Sequence, residues 1–115
     1  MTNIVIWHNP RCSKSRQTLA LLQENGVTPE ARLYLKDLPT LEELSAIQSA
    51  LGLPARDMTR LREAAFAEQG LTKTSTDGEI LQAMTRAPIL IERPIVIHGD
   101  RAAIGRPPEA VLALL

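Results

Sequence analysis

The sequence predicts an α/β fold built from a βαβ half, a helical insertion and a ββα half. Three patterns support this: a β-branched apolar run before a helical segment, only helical periodicity over about residues 38–87, and a Gly-Asp turn between two later strand-like runs. A strand–helix–strand crossover implies that the first two strands pair in parallel. We expect one domain over residues 1–115, with the insertion at about 38–87.

The first half contains two predicted strands and one helix. Ile4 to Trp7 is apolar and β-branched, and His8-Asn9-Pro10 ends it, so it is typical of a buried strand. A helix is predicted from about Ser13 to Asn25, where the following Gly26 favours a stop. Arg32 to Leu35 is the second strand candidate, although its alternation is weak.

The insertion has two clear helix starts. Thr40 and Thr76 each begin a T-x-x-E sequence, which is the signature of a capping box, and apolar residues follow at helical spacing. Between them a short helix is predicted through Met58 and Leu61, with Gly70 closing the next turn. Pro88 marks the end of the last helix of the insertion.

The last half predicts a hairpin and a helix. Pro94 to His98 is a strand, Gly99-Asp100 fits a two-residue turn with glycine first, and Arg101 to Ile104 would be the returning strand. Pro107-Pro108-Glu109 then opens a final helix that runs to Leu115.

Composition excludes several classes of function. The chain has 13 basic and 13 acidic residues, so a nucleic-acid binder that relies on bulk positive charge is disfavoured. No run of about 18 apolar residues predicts a membrane span, and the N-terminal residues lack the pattern of a secretory signal. One cysteine excludes an internal disulfide, and His8 and His98 lack metal-ligand spacing, so no metal site is predicted. We expect a cytoplasmic protein.

Cys12 is the strongest candidate for chemistry. It lies in N-P-R-C-S-K-S-R, between the first strand and the first helix, where unpaired helical N–H groups favour anions and lower the pKa of a thiol. The alternative is a buried cysteine that acts as a small apolar residue. The neighbouring residues Arg11, Ser13 and Lys14 make a core position improbable and favour a reactive thiol.

Ser15 occupies the place of the second cysteine in a C-x-x-C motif. Because a serine cannot resolve a mixed disulfide, a redox reaction at Cys12 would need a second thiol from glutathione or a partner protein. The spacing alone is a weak signal. Ser13 and Ser15 could equally cap the helix or donate to a bound anion.

Three arginines are candidates for binding an anion, and each has an ordinary alternative. Arg93 precedes Pro94, which is a cis-proline candidate or a trans proline at the start of a strand, with Arg93 then solvated. Arg106 follows Gly105 before a proline-capped helix, where a surface role is equally ordinary. Arg60 lies in a charged segment that, by itself, favours a solvated salt-bridged face.

The chain resembles the glutathione- and glutaredoxin-dependent arsenate reductase family over nearly its whole length. The matching segments are I-W-H-N-P-R-C-S-K-S-R, Leu33-Tyr34-Leu35, E-R-P-I-V and G-R-P-P-E, in this order. The resemblance implies a thioredoxin-like fold with a helical insertion. It also implies a catalytic cysteine at Cys12, an active-site histidine at His8 and a cis proline at Pro94.

The resemblance further implies that Arg60, Arg93 and Arg106 bind the substrate oxyanion, and we place Ser15 with Cys12 and His8 in the catalytic set. Arsenate, glutathione and glutaredoxin are the implied partners, with glutathione as co-substrate, no bound cofactor and a monomeric protein. Gly105 differs from some family members, which have a cysteine before the arginine. Two rival functions remain: a glutathione-dependent thiol reductase, and a non-catalytic redox regulator of the Spx-like kind that binds RNA polymerase.

Overall fold

Four strands form a mixed β-sheet. A computed structural model describes residues 3–115 of the chain. The strands are β1 (Ile4–Trp7), β2 (Glu30–Arg32), β3 (Ile95–His98) and β4 (Arg101–Ile104), in the order β2-β1-β3-β4. β1 pairs in parallel with β2 and antiparallel with β3, and β3 pairs antiparallel with β4. The predicted parallel crossover and the predicted hairpin are therefore confirmed.

The first helix packs on this sheet through Leu22, on the face where Ser15 and Thr18 are also buried. α1 spans Ser13–Glu24, and Gly26 after it has a φ of 80°, as the predicted stop requires. Leu22 of α1 is fully buried with Ile6 and Val96 of the sheet. Val111 and Leu114 from the C-terminal segment complete this cluster. The cluster fixes α1, and with it the N-terminal end of the helix, against the sheet.

The second strand lies earlier in the chain than the sequence predicts. The prediction was Arg32 to Leu35, whereas β2 is Glu30–Arg32. After Arg32 the chain turns: the Asp37 N–H donates to the Leu33 carbonyl at 2.8 Å. The Arg32 guanidinium also lies 3.3 Å from the Asp37 carboxylate, which closes the turn. Tyr34 is fully buried and its ring stacks on Trp7, with ring centroids 6.1 Å apart, although Tyr34 lies in a turn and not in a strand.

The predicted final helix is a 3₁₀ helix, Pro108–Leu114. Two side chains from the hairpin bind its last carbonyl groups. The His98 Nδ1 lies 2.6 Å from the Leu114 carbonyl oxygen, and the Arg101 Nη2 donates to the Ala113 carbonyl at 2.7 Å. These contacts satisfy backbone acceptors that a helix end leaves unpaired.

The middle of the chain is helical, as predicted. It contains α2 (Leu41–Leu51), α3 (Ala64–Glu68) and α4 (Asp77–Arg86), with 3₁₀ helices at Ala55–Met58 and Pro88–Leu90. Both predicted capping boxes form: Thr40 and Thr76 each accept from the N–H of the glutamate three residues later, and that glutamate side chain accepts in return. Leu44, Met58 and Met84 are among its fully buried side chains.

The short helix predicted through Met58 and Leu61 ends earlier, at Met58. Thr59 has extended backbone angles and pairs with Ile91 in an isolated antiparallel bridge. The N–H of Arg60 donates to the Leu90 carbonyl at 2.7 Å. The Arg60 carbonyl accepts from the Glu63 N–H at 3.1 Å, so Arg60 begins a turn and does not lie on a helix as the sequence indicated.

The described residues divide into two compact units. One contains the chain up to Asp37 together with Arg93–Leu115, and the other is Leu38–Glu92. The first unit holds the sheet, α1 and the C-terminal 3₁₀ helix, and the second holds the insertion. The assignment of both to one domain stays a prediction. Across residues 3–115, none of the helices is both long and apolar enough to span a membrane.

Candidate active site

Cys12 is the N-cap residue of α1, at the carboxyl end of β1. The loop before it is held by hydrogen bonds to Asn9: the Cys12 N–H donates to the Asn9 carbonyl at 2.9 Å, and the Arg11 N–H donates to the Asn9 side-chain Oδ1 at 3.0 Å. The Cys12 carbonyl accepts the first helical hydrogen bond, from Arg16, at 3.0 Å. With only 8% of its surface exposed, Cys12 presents its sulfur from a fixed position.

Two arginines from the C-terminal part of the first unit lie near the Cys12 sulfur. The Arg106 Nη2 lies 3.9 Å from the Cys12 Sγ, and its Nε donates to the Arg93 carbonyl at 2.9 Å. The Arg93 guanidinium also interacts with the thiol by hydrogen bonding and by charge. The structure thus brings together Cys12, Arg93 and Arg106, three residues that the sequence identified at distant positions.

Pro94 and Gly105 join the two segments that carry these arginines. The Arg93–Pro94 peptide bond is cis, as the resemblance implies, and the Arg106–Pro107 bond is also cis. The Gly105 N–H donates to the Pro94 carbonyl at 2.9 Å. This bond and the Arg106–Arg93 bond tie the segments before β3 and after β4 to each other.

The environment lowers the pKa of the Cys12 thiol below its ordinary value. Burial alone would raise the pKa, because it disfavours the charged form. The guanidinium of Arg93 and the backbone N–H groups of Ser15 and Lys14 outweigh that effect, since each stabilises the thiolate. The structure therefore supports the reactive interpretation of Cys12 over that of a small apolar residue in the core.

His8 and Ser15 form a buried hydrogen-bonded pair beneath the Cys12 loop. The His8 Nδ1 lies 2.6 Å from the Ser15 Oγ, and the tautomer of the ring decides which atom donates. The Ser15 Oγ also accepts from the Asn9 N–H at 3.1 Å. Ser15 is fully buried, and its hydroxyl binds His8 and Asn9 instead of capping α1. Through these two bonds Ser15 ties the start of the loop, at His8 and Asn9, to α1.

The pKa of His8 is lowered from its ordinary value of 6.5. Burial is the larger cause and the positive charge of Arg16 the smaller one, because both disfavour the imidazolium ion. His8 is therefore neutral near pH 7. A neutral ring has one donor and one acceptor nitrogen, so the Nδ1 can either donate to or accept from the Ser15 hydroxyl.

Arg60 belongs to the second unit and is described there alone. Its Nη1 lies 2.9 Å from the Glu63 Oε2, in an i,i+3 ion pair with both side chains about one-quarter exposed. Within this unit Arg60 therefore forms the kind of salt bridge that its charged segment suggested. The role of Arg60 in binding an anion stays a prediction.

Asn9 is the residue of the site that the sequence reasoning did not single out. Its carbonyl, its side-chain oxygen and its N–H all bind within residues 9–15, and together they shape the loop. Asn is favoured in such turns because its side chain binds the backbone two residues later, so the Asn-Pro pair was the available signal. Arg16 adds a further contact, from its Nη1 to the Pro10 carbonyl at 2.8 Å.

No group of three or more His, Cys, Asp or Glu side chains in residues 3–115 is arranged to hold a metal ion. The donors that converge on Cys12 are cationic or N–H groups. Such a set suits an anion, because guanidinium forks and helix N-termini bind oxyanions.

The sheet topology, together with a cysteine at the N-terminus of the first helix, defines a thioredoxin-like protein. The chain belongs to the ArsC family, whose model matches residues 7–114. The family predicted from the sequence motifs is thus confirmed.

Relatives match over nearly the whole chain. An arsenate reductase of Haemophilus influenzae is 44% identical, with 98% of this chain and 99% of that protein covered. Uncharacterized protein YfgD of Escherichia coli is 49% identical, covering 97% of this chain and 96% of that protein. The solved structure of an arsenate reductase from Vibrio cholerae is 45% identical and superposes with a TM-score of 0.94, covering 99% of this chain and 98% of that one. These likenesses confirm the thioredoxin-like α/β fold.

Proposed function

We propose that this protein is an arsenate reductase that reduces arsenate to arsenite through Cys12. The observation that supports it best is the convergence of the Arg93 and Arg106 guanidinium groups on a thiol whose pKa is lowered. Relatives of similar length that carry the name arsenate reductase agree with this activity. The chain is thus an oxidoreductase of the ArsC family.

The positive groups of the site reduce the repulsion between two negative reactants. Arsenate at neutral pH is a tetrahedral anion, so an attacking thiolate and its target repel each other. Arg93 and Arg106 neutralise both partners, because a guanidinium binds oxyanion oxygens through paired N–H groups. The N–H groups of Lys14 and Ser15 stabilise the thiolate before attack.

The proposed reaction has three steps. The Cys12 sulfur attacks arsenic, an S–As bond forms, and one arsenate oxygen leaves as water after accepting protons. A glutathione thiol then bonds to the Cys12 sulfur while the S–As bond breaks. Both electrons of that bond go to arsenic, which falls from the pentavalent to the trivalent state and leaves as arsenite. A glutaredoxin thiol takes the glutathione from the mixed disulfide and restores Cys12.

An external thiol is required because the chain has one cysteine and Ser15 occupies the C-x-x-C position. Glutathione as co-substrate and glutaredoxin as partner therefore belong to the proposal, with no bound cofactor. This chemistry needs a reducing compartment, in keeping with the predicted cytoplasmic location. Arg60 is proposed as a third arginine for the anion, on the resemblance.

The test is arsenate reduction by the wild-type chain and by Cys12→Ser, with glutathione and glutaredoxin supplied. We expect turnover by the wild type and none by the variant, because a serine hydroxyl is not ionised near neutral pH. A matched control is Ser13→Ala, which alters an exposed residue next to Cys12 and should retain turnover. Reduction of arsenate by Cys12→Ser would contradict the proposal.

The two rival functions predict different results when the same purified wild-type protein is assayed. A thiol reductase would reduce a glutathionylated peptide faster than arsenate, although a neutral disulfide has no need of two guanidinium groups. A redox regulator would retain RNA polymerase in a binding assay and reduce neither substrate. Either result in place of arsenate turnover would replace the proposed function.

A further inference from the structure

A groove of about 410 Å³ lies between α1 and the start of the C-terminal 3₁₀ helix. One face of α1, from Lys14 to Glu24, forms one wall, and Pro107, Pro108 and Glu109 form the other. Both walls belong to the first unit. Sites for small organic ligands usually have volumes of about 300–1,000 Å³, so the groove is large enough for such a ligand.

The groove begins beside the Cys12 sulfur. Lys14 lies two residues after Cys12, and its backbone N–H hydrogen-bonds to the thiol. Pro107, on the opposite wall, directly follows Arg106, whose Nη2 lies 3.9 Å from the Cys12 Sγ. A ligand that lies in the groove can therefore reach the sulfur from one end of it.

The walls of the groove carry charges of both signs that do not neutralise each other. Lys14 is the basic side chain on these walls, and Glu24 and Glu109 are the acidic ones. All three are exposed, and within residues 3–115 none of them forms an ion pair. Such walls suit a ligand that itself has both charges, because each of its charged groups then meets an opposite one. An inorganic oxyanion lacks the positive group that the two carboxylates favour.

The middle of the groove suits a short peptide. The Gln17 side chain is exposed there and offers both a donor and an acceptor to an amide group. Ala20 and Leu21 provide apolar contacts next to it. The α1 face from Lys14 to Glu24 is about 15 Å long, because a helix rises about 1.5 Å per residue. An extended tripeptide spans about 10 Å and therefore fits along this face.

We propose that this groove binds glutathione, with a carboxylate of the tripeptide on Lys14, its ammonium group on Glu109 and its thiol directed at Cys12. Glu109 is assigned the ammonium group because it follows Arg106 by three residues, whereas Glu24 lies at the far end of α1. The role of glutathione as co-substrate rests on the proposed function. Its binding to the groove requires no arsenate and is tested without it.

The experiment measures the binding of S-methylglutathione, whose blocked thiol cannot react with Cys12, by isothermal titration calorimetry and by amide chemical shifts. In the wild type we expect shifts along the groove, at Lys14, Gln17 and Glu109. Ala20→Trp places an indole on an exposed position of the groove wall, so the Kd should rise by at least about tenfold because ring and ligand compete for the same space. Ala46→Trp is the matched control, since Ala46 is exposed on α2 and outside the groove, and it should bind like the wild type.

Glu109→Gln tests the position of the ammonium group, because it removes the charge and keeps the size of the side chain. We expect S-methylglutathione to bind about threefold more weakly, which is the usual effect of losing an exposed ion pair. An analogue without the amino group should bind equally well to the variant and to the wild type. Glu68→Gln is the control, because it removes the same charge from an exposed residue outside the groove.

The absence of measurable binding to the wild type, or chemical shifts confined to residues outside the groove, would overturn the proposal. So would wild-type affinity in either Ala20→Trp or Glu109→Gln. If Ala20→Trp fails to fold, the affinities of Glu109→Gln for the two ligands decide alone. Binding in the groove by a wild type that reduced no arsenate would leave the groove assigned and remove the proposed function. Arsenate turnover without binding in the groove would do the reverse.

Discussion

Cys12 receives its stabilising groups from three parts of the first unit. The N–H groups of Lys14 and Ser15 belong to its own helix, whereas Arg93 and Arg106 come from segments about 80–95 residues later. The helix contribution was predictable, since a cysteine just before a helix has these N–H groups nearby. The arginine contribution was not predictable from Cys12 alone, because it depends on which strands lie side by side.

Arg106 should contribute to catalysis by direct contact and not only through its charge. Arg106→Gln removes the group 3.9 Å from the sulfur, and we expect kcat/KM for arsenate to fall by about a hundredfold, the usual effect of losing one donor to an oxyanion. The measurement is steady-state kinetics at fixed glutathione and glutaredoxin. Arg11→Gln is the control, because it removes the same charge from an exposed residue beside Cys12. Equal losses in both variants would show that overall charge matters and contact does not.

At the scale of the element, helix starts were predicted well and strand limits less well. Thr40 and Thr76 begin α2 and α4 as expected, because a capping box is a local pattern that the sequence shows directly. β2 was misplaced because Glu30 and Ala31 are exposed and show no apolar alternation. Tyr34, which the prediction included in the strand, instead stacks on Trp7 from within a turn.

The capping boxes provide a prediction about stability. Thr76→Ala leaves the Glu79 N–H without the hydroxyl oxygen that accepts from it, so unfolding should become easier by about 1 kcal/mol. The measurement is urea unfolding followed by circular dichroism. Thr76→Ser is the control, because it keeps the oxygen and should cost much less. An Ala variant as stable as the Ser variant would show that the observed box contributes no stability.

At the scale of the whole molecule, His8 links stability to pH. Its pKa is lower in the folded chain than its ordinary value of 6.5, so the unfolded chain binds the proton more readily. The contribution of neutral His8 is complete above about pH 6.5 and is lost as the pH falls through the folded pKa. We expect the melting temperature to decrease as the pH falls below about 6.5.

The comparison for this prediction is His8→Gln, which cannot titrate but can still bind Ser15. Its melting temperature should depend less on pH between about 7.5 and 5 than that of the wild type. The same slope in both proteins would assign the loss of stability to other groups.

The borders of the sheet have a further consequence. β2 is three residues long and begins with exposed Glu30, and the border strand β4 is four residues long and begins with exposed Arg101. A strand from another molecule that approached either border would gain few main-chain bonds and would meet a charged side chain. The short border strands and their charged first residues therefore discourage edge-to-edge association of the sheet with other molecules.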